Sequence, residues 1–227
     1  MPSPVPLSLL CVTRGDVRVK PLIDRFRAAA QFLGAECQIL IDGSDVQSGG
    51  YLESVLSAAL ATCRGTYILR LDDDEALAPD TLTWLKSGVY HDHLVWSFPR
   101  AAIWQDDSHA LISPPLWPDF QTRLTHRSLA HRPDRIHAAA PAGYGQIAPG
   151  AIYHYKFRLY SLDERHTQAV AYDRLQPGAG SGKFLAFQAP EHAMPPEHYV
   201  IVPLTALPAP VPVDMDQFLG RDASISA

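Results

Sequence analysis

Four acidic residues in a row, Asp72, Asp73, Asp74 and Glu75, follow directly on the apolar run TYILRL (66–71). Adjacent carboxylates raise one another's pKa and resist burial unless a cation neutralises them. A solvated acidic loop that caps the next helix is the ordinary way to accommodate such a run. At the end of a buried strand the same turn offers hard oxygen ligands of the kind Mg²⁺ or Mn²⁺ takes. These ions bind through one or two carboxylates and let a substrate phosphate complete the shell. The chemistry these residues could do is therefore to hold a divalent ion together with a diphosphate.

The elements around the acids fit that use. PLSLLCVT (6–13) reads as a buried strand that ends in the loop Arg14, Gly15, Asp16. Leu22, Phe26, Ala29 and Leu33 then recur at helical spacing, with Gly34 as the stop. CQILIDGSD (37–45) is a second strand running into a turn, and Leu52, Val55, Leu56, Ala59, Leu60 and Cys63 mark a second helix closed by Gly65. TYILRL is the third strand, Pro79 to Thr81 open a third helix, and HLVWSF (93–98) is a fourth strand. Strand and helix alternate, so the expected fold is α/β: a mostly parallel central sheet with helices on both faces, Rossmann-like. In such sheets ligands bind beyond the carboxyl ends of the strands, which puts Thr13–Asp16, Asp42–Asp45 and Asp72–Glu75 on one rim. Residues 100 to 187 are less regular, with a helix expected from Ser161 to Tyr172 behind a Ser161/Glu164 capping box. Seven prolines among residues 188–227 exclude a long helix or central strand there, leaving a surface arm or a disordered tail.

A chain of 227 residues, 47% of them hydrophobic, can bury a full core, and a net charge of −5 with no Lys/Arg block gives no footprint for nucleic acid or anionic lipid. No apolar run approaches the ~20 residues needed to span a bilayer and no leader pattern is present, so a cytoplasmic protein is the expectation. Cys11, Cys37 and Cys63 lie far apart in or beside apolar runs and read as small core residues.

Taken in order, SLLCVTRGD, CQILIDGSD, YILRLDDDEALAPDTLTWL, WPDFQTRLTHR, DRIH and GAIYHYKFRLYSLDER resemble the landmarks of family 2-like glycosyltransferases with the A-type nucleotide-sugar fold, over about residues 6 to 175. The resemblance implies a single domain over residues 1–187, with a nucleotide-sugar half (1–100) and an acceptor-side half (101–187), followed by the Pro-rich tail 188–227. It implies that Asp72 and Asp74 form the DxD motif, with Asp74 on Mn²⁺ or Mg²⁺ and Asp72 or Asp73 nearer the ribose and diphosphate. Thr13, Arg14 and Asp42 would line the nucleoside pocket. His154, in AIYHYKF, matches a histidine near the metal or diphosphate; by itself it also reads as a strand-edge histidine. Gln121 and Arg123 match an acceptor-side element, although their alternation also suits two solvent-facing residues.

The activity implied is metal-dependent transfer of a sugar, with inversion, from a nucleotide diphosphate sugar to a carbohydrate or other hydroxyl acceptor. Related transferases carry a glutamate directly after the histidine of RIH, as general base, where this chain has Ala138. His137, Asp134 or Asp119 could accept the proton instead. The alternative is an accessory protein that keeps the nucleotide-sugar pocket and has lost the base. PGAGSGKF (177–184) fails the phosphate-loop pattern at Pro177 and Phe184, and DDDEALAPD lacks the glycine of a Ca²⁺ loop. A homo-oligomer is left open.

Overall fold

The structure is a computed structural model that describes residues 5–42, 53–130, 145–181 and 185–210. In chain order its strands and helices are β1 (Leu7–Thr13), α1 (Lys20–Leu33), β2 (Glu36–Ile41), α2 (Glu53–Thr62), β3 (Tyr67–Asp72), β4 (Glu75–Leu77) and α3 (Pro79–Ser87). There follow β5 (Val95–Ile103), β6 (His109–Leu111), β7 (Asp119–His126), β8 (Gln146–Ile147), β9 (Ile152–His154), α4 (Lys156–Leu159) and α5 (Leu162–Leu175). The chain closes with α6 (Leu185–Gln188), α7 (Pro190–Ala193) and β10 (Ile201–Pro203).

Strand β1 is buried along its whole length because both of its faces are covered. Leu9 and Cys11 pack under α1 and α3, against Ile23, Phe26 and Leu85. Leu10 and Val12 pack on the other face against Leu56, Ala59 and Leu60 of α2. Helix α1 ends where Gly34 adopts a left-handed φ of 67°, a conformation that costs a residue with a Cβ and costs glycine nothing. Helix α5 opens on the Ser161/Glu164 capping box.

The sheet is mixed, which corrects the expectation of a mostly parallel one. Its path is β10-β6-β5-β7-β3-β1-β2, with β8 and β9 also pairing with β5, and β4 pairing with β9. Parallel pairing joins β2 to β1 and β1 to β3. Strand β7 then pairs antiparallel with both β3 and β5. Strand β5 therefore runs in the same direction as β3, as the alternation requires, but β7 returns from the irregular half of the sequence and inserts between them. Local periodicity carries no information about that insertion, because the residues of β7 lie 55 to 59 positions from their partners in β3.

The described part of the Pro-rich segment joins the body. Strand β10 pairs with β6, Ser113 Oγ donates to the His198 carbonyl at 2.8 Å, and Tyr199 meets Trp104 edge to face. Cys11 and Cys63 are core residues, as expected. Cys37 is exposed because β2 is the last strand of the sheet path and its outward neighbours do not cover it. No helix among the described residues is long and apolar enough to cross a membrane.

Candidate functional site

Strand β3 delivers the acids to the rim, and the chain reverses through Asp73 and Asp74 into β4. The positive charge that four neighbouring acids require comes first from the protein itself. Period-two alternation puts Arg70 and Asp72 on one face of β3, and antiparallel pairing lays Arg123 of β7 beside them. Arg70 donates to Asp72 Oδ1 at 2.8 Å and Arg123 Nη2 to Asp72 Oδ2 at 2.5 Å. The same Nη2 reaches Glu75 Oε1 at 2.5 Å, where Arg100 of β5 also donates at 3.1 Å, and the Asp72 N–H donates to Glu75 Oε2 at 3.0 Å. Arg100 continues to Asp119, which Gln121 also contacts at 2.7 Å. The Glu75 side chain is 0% and that of Arg123 1% exposed. Burial and the charge of Asp72 push Glu75 up to about 8, against the pull of Arg100. Arg123 Nε and Nη1 and Arg70 Nε are buried without a hydrogen-bond partner.

Asp74 is held differently. Register across β4 and β9 sets Glu75 opposite His154, and this brings His154 Nε2 to 3.2 Å from Asp74 Oδ2. The Asp74 carbonyl is tied in as well, accepting from the Tyr155 N–H at 2.8 Å. Burial would raise the Asp74 carboxyl, but His154, Lys156 and Arg100 hold it down at about 2. Burial and Arg100 push the His154 imidazole below the usual histidine range, so the ring beside Asp74 is neutral; the Nε2–H tautomer donates to Asp74, and the Nδ1–H tautomer would leave the Nε2 lone pair for a cation.

Asp73 faces the end of β1. Thr13 Oγ1 donates to Asp73 Oδ2 at 2.7 Å and itself accepts the Gly15 N–H at 3.0 Å. The Arg14 N–H also donates to Asp73, yet burial and Asp74 still push this carboxyl up to about 6. The Asp42 N–H donates to the Thr13 carbonyl at 2.8 Å, so Thr13, Arg14, Asp42 and Asp73 converge at the ends of three adjacent strands. Tyr160 closes one side: Arg18 lies 4.5 Å over its ring, and burial with the charges of Asp74 and Asp73 pushes its hydroxyl up.

Of the expected residues, the structure gathers Thr13, Arg14, Asp42, Asp72, Asp73, Asp74 and His154 at one rim. Gln121 stands beside Asp119. Arg123 is buried, not solvent-facing; it lies under the acid turn, because β7 inserts next to β3. His137 and Asp134 lie outside the described residues, as do Gly43 to Asp45. Residues that sequence reasoning missed are Arg70, Arg100, Lys156 and Tyr160. A lone arginine inside YILRLD and another inside VWSFPRAAI were the available signal, since a buried guanidinium requires a carboxylate partner.

The donor set can be tested against a divalent ion. Among the described residues no group of three or more His, Cys, Asp and Glu side chains is arranged to hold a metal. Asp72 and Glu75 are committed to arginines. Asp74 and His154 remain, one carboxylate oxygen and one imidazole nitrogen 3.2 Å apart. Two neighbouring ligands of an octahedral ion at ~2.1 Å stand about 3 Å apart, so the pair fits two of six positions, with phosphate and water oxygens for the rest.

No family model matches the chain, and no curated protein matches it. Solved structures with a similar arrangement include S. aureus TarS 1-349, at a TM-score of 0.42 and 10% identity, covering 79% of this chain and 70% of that one. The same TarS fragment in complex with UDP aligns at a TM-score of 0.38 and 11% identity, covering 83% of this chain and 63% of that one. The complex with UDP-GlcNAc aligns at 0.39 and 11%, covering 79% and 71%. Likenesses of this size carry no argument about activity.

Proposed function

We propose that this chain binds a nucleotide diphosphate sugar along the rim formed by the ends of β1, β2 and β3 and transfers the sugar, with inversion, to an acceptor hydroxyl. The observation that carries the reading is the Asp74–His154 pair, two metal-competent donors eighty residues apart in sequence and 3.2 Å apart in space, at the carboxyl end of the strand that carries the acids. Mn²⁺ or Mg²⁺ held by these two residues supplies Lewis-acid stabilisation of the leaving diphosphate. Thr13, Arg14 and Asp42 bind the nucleoside, and Asp73, fixed by the Thr13 hydroxyl, orients the ribose side. Asp72 keeps Arg70 and Arg123 in place under the turn.

A second reading, a nucleotide-sugar-binding protein without turnover, is favoured by one observation. Both carboxylate oxygens of Asp119 are engaged by Arg100 and Gln121, and Ala138 stands where related chains carry the base. The test is nucleotide release from UDP-GlcNAc and a panel of other sugar nucleotides with Mn²⁺, for the wild type and Asp74→Ala, with Mn²⁺-dependent nucleotide binding measured beside it. Metal-dependent release that is lost in Asp74→Ala supports the transferase. Binding without release supports the second reading, and no Mn²⁺-dependent binding overturns both.

A further inference from the structure

We propose that β2 is an association edge: two copies of this chain pair antiparallel along it, with Ile39 against the partner's Ile39 and Cys37 against the partner's Ile41, joining their sheets into one. A strand at the margin of a sheet carries unpaired backbone groups that attract a further strand, and folded proteins blunt such margins with lysine, proline, bulges or very short strands. The two ends of this sheet path differ in that respect. Strand β10 is three residues long and ends in Pro203. Strand β2 runs for six residues, pairs with β1 without a register shift, and carries neither lysine nor proline. Its one charged residue, Glu36, is already engaged by Arg64 and Ser8. Among the described residues no strand pairs with its outer side.

The backbone sets the register. The Asp42 N–H donates to the Thr13 carbonyl at 2.8 Å, and in a parallel ladder alternate residues turn both backbone groups to the same neighbour. Glu36, Gln38 and Leu40 therefore face β1, and Cys37, Ile39 and Ile41 turn their N–H and C=O outward. An antiparallel partner centred on Ile39 uses all three. Pleating puts the side chains of the same three residues on the α1 face, where Ile39 packs against the core and Ile41 is 77% exposed. That face also holds a groove of about 560 Å³ between α1 and β2, whose lining includes Ala30, Ala35, Cys37 and Ile39. In this register the partner's Ile41 lies across from Cys37 and meets the groove, and the twofold axis repeats the contact. The apolar row of β2 thus faces its own image with no like charges opposed, which is the self-complementarity that a twofold interface requires and a foreign peptide does not.

Analytical ultracentrifugation of the full chain over a wide concentration range tests this, with the wild type expected to be a reversible dimer. Cys37→Lys/Ile41→Lys, at two exposed positions, sets like charges across both outer pairs and is expected to weaken association about tenfold or more. Cys37→Asp/Ile41→Lys sets opposite charges across the same pairs and is expected to bring association back to within about threefold of the wild type. Melting curves of both variants check that the fold is kept. Should Cys37→Lys/Ile41→Lys fail to fold, Ile41→Lys alone is expected to weaken the dimer in the same direction. A wild type that stays monomeric overturns the proposal, including one whose β2 amides resist hydrogen exchange, which would show another segment or a different partner on this edge. A dimer that Cys37→Lys/Ile41→Lys leaves intact, or one that Cys37→Asp/Ile41→Lys does not restore, overturns it as well.

Discussion

Replacing Arg123 by methionine removes the guanidinium shared by Asp72 and Glu75 while keeping most of the side-chain volume. Breaking a buried ion pair by deleting one partner costs about 3–5 kcal/mol. Two features place this case at the lower end. Each acid keeps a second guanidinium, Arg70 at 2.8 Å from Asp72 and Arg100 at 3.1 Å from Glu75. Arg123 also carries two buried nitrogens without partners, whose desolvation is relieved when the group is removed. A loss of about 3 kcal/mol is expected, which for a chain of this size lowers Tm by about 6–12 °C. The pH dependence has a definite sign. Glu75 is raised to about 8 from an ordinary 4.5, so it binds more protons folded than unfolded, and its contribution to stability falls as pH rises between those values. Arg123→Met raises it further, so the deficit relative to wild type is largest in alkaline buffer, and the share due to Glu75 vanishes below about pH 4.5. Calorimetric melts from pH 4.5 to 9 measure this directly, and Arg123→Met/Glu75→Gln should recover at least half the loss. A deficit under about 1 kcal/mol at pH 7, or one that grows on acidification, would refute the account of Arg123 as the cation beneath the acid turn.

Two further outcomes follow from the same geometry. Asp73 is raised to about 6 by burial and by Asp74, so Asp73→Asn, which still accepts from Thr13, should stabilise the fold at pH 7.5 by about 1–2 kcal/mol, with the gain fading as pH falls from 6 to 3.8; melting curves at the two ends of that window check it. Glu36 is held down at about 2 despite burial, by the Ser8 hydroxyl and the Arg64 N–H, so its stabilisation is complete above pH 4.5 and lost as pH falls through 2. Glu36→Gln should cost about 2–3 kcal/mol at pH 7 and show a flatter acid-unfolding profile by circular dichroism.

Most of the parallel half was legible in the sequence, because β1, α1, β2, α2, β3 and α3 are each written in a local period and ended by a glycine or the acid turn. The mixed half was not. In strand β7 the alternation of Gln121 and Arg123 reads as a solvent-facing pair, whereas insertion between β3 and β5 buries Arg123. Cys37 reads as core because an apolar run does not reveal that its strand is the outermost one. The rim was legible as a set of loops from the alternation alone, whereas the approach of His154 to Asp74 depends on β4–β9 pairing, which no local pattern encodes. The cations that balance the acids come from β3, β5, β7 and α4, four elements that only the folded sheet brings together.

That balance changes what the acids mean. Unpartnered, they would demand a metal; in the fold most of them already have a cation. At neutral pH Glu75, raised to about 8, keeps its proton, so four carboxylates (Asp72, Asp73, Asp74, Asp119) face four cations (Arg70, Arg100, Arg123, Lys156), and the imidazole of His154 is neutral. The cluster is close to neutral as a whole, and Asp73 and Asp74 are the two acids of the turn that no arginine side chain contacts among the described residues. A diphosphate approaching that rim would meet these two carboxylates, and a divalent ion held by Asp74 and His154, as proposed above, would offset the repulsion. On the reading proposed above, an ion held by Asp74 and His154 would admit a nucleotide at this rim, because Asp72, Glu75 and Asp119 are already engaged by arginines. On that reading, wild-type protein should bind UDP or another nucleoside diphosphate only in the presence of Mn²⁺ or Mg²⁺, and Asp73→Asn, which removes one of the two carboxylates, should bind it measurably without either. Isothermal titration with and without chelator decides the point, and metal-independent binding by the wild type, equal to that with Mn²⁺, would overturn it.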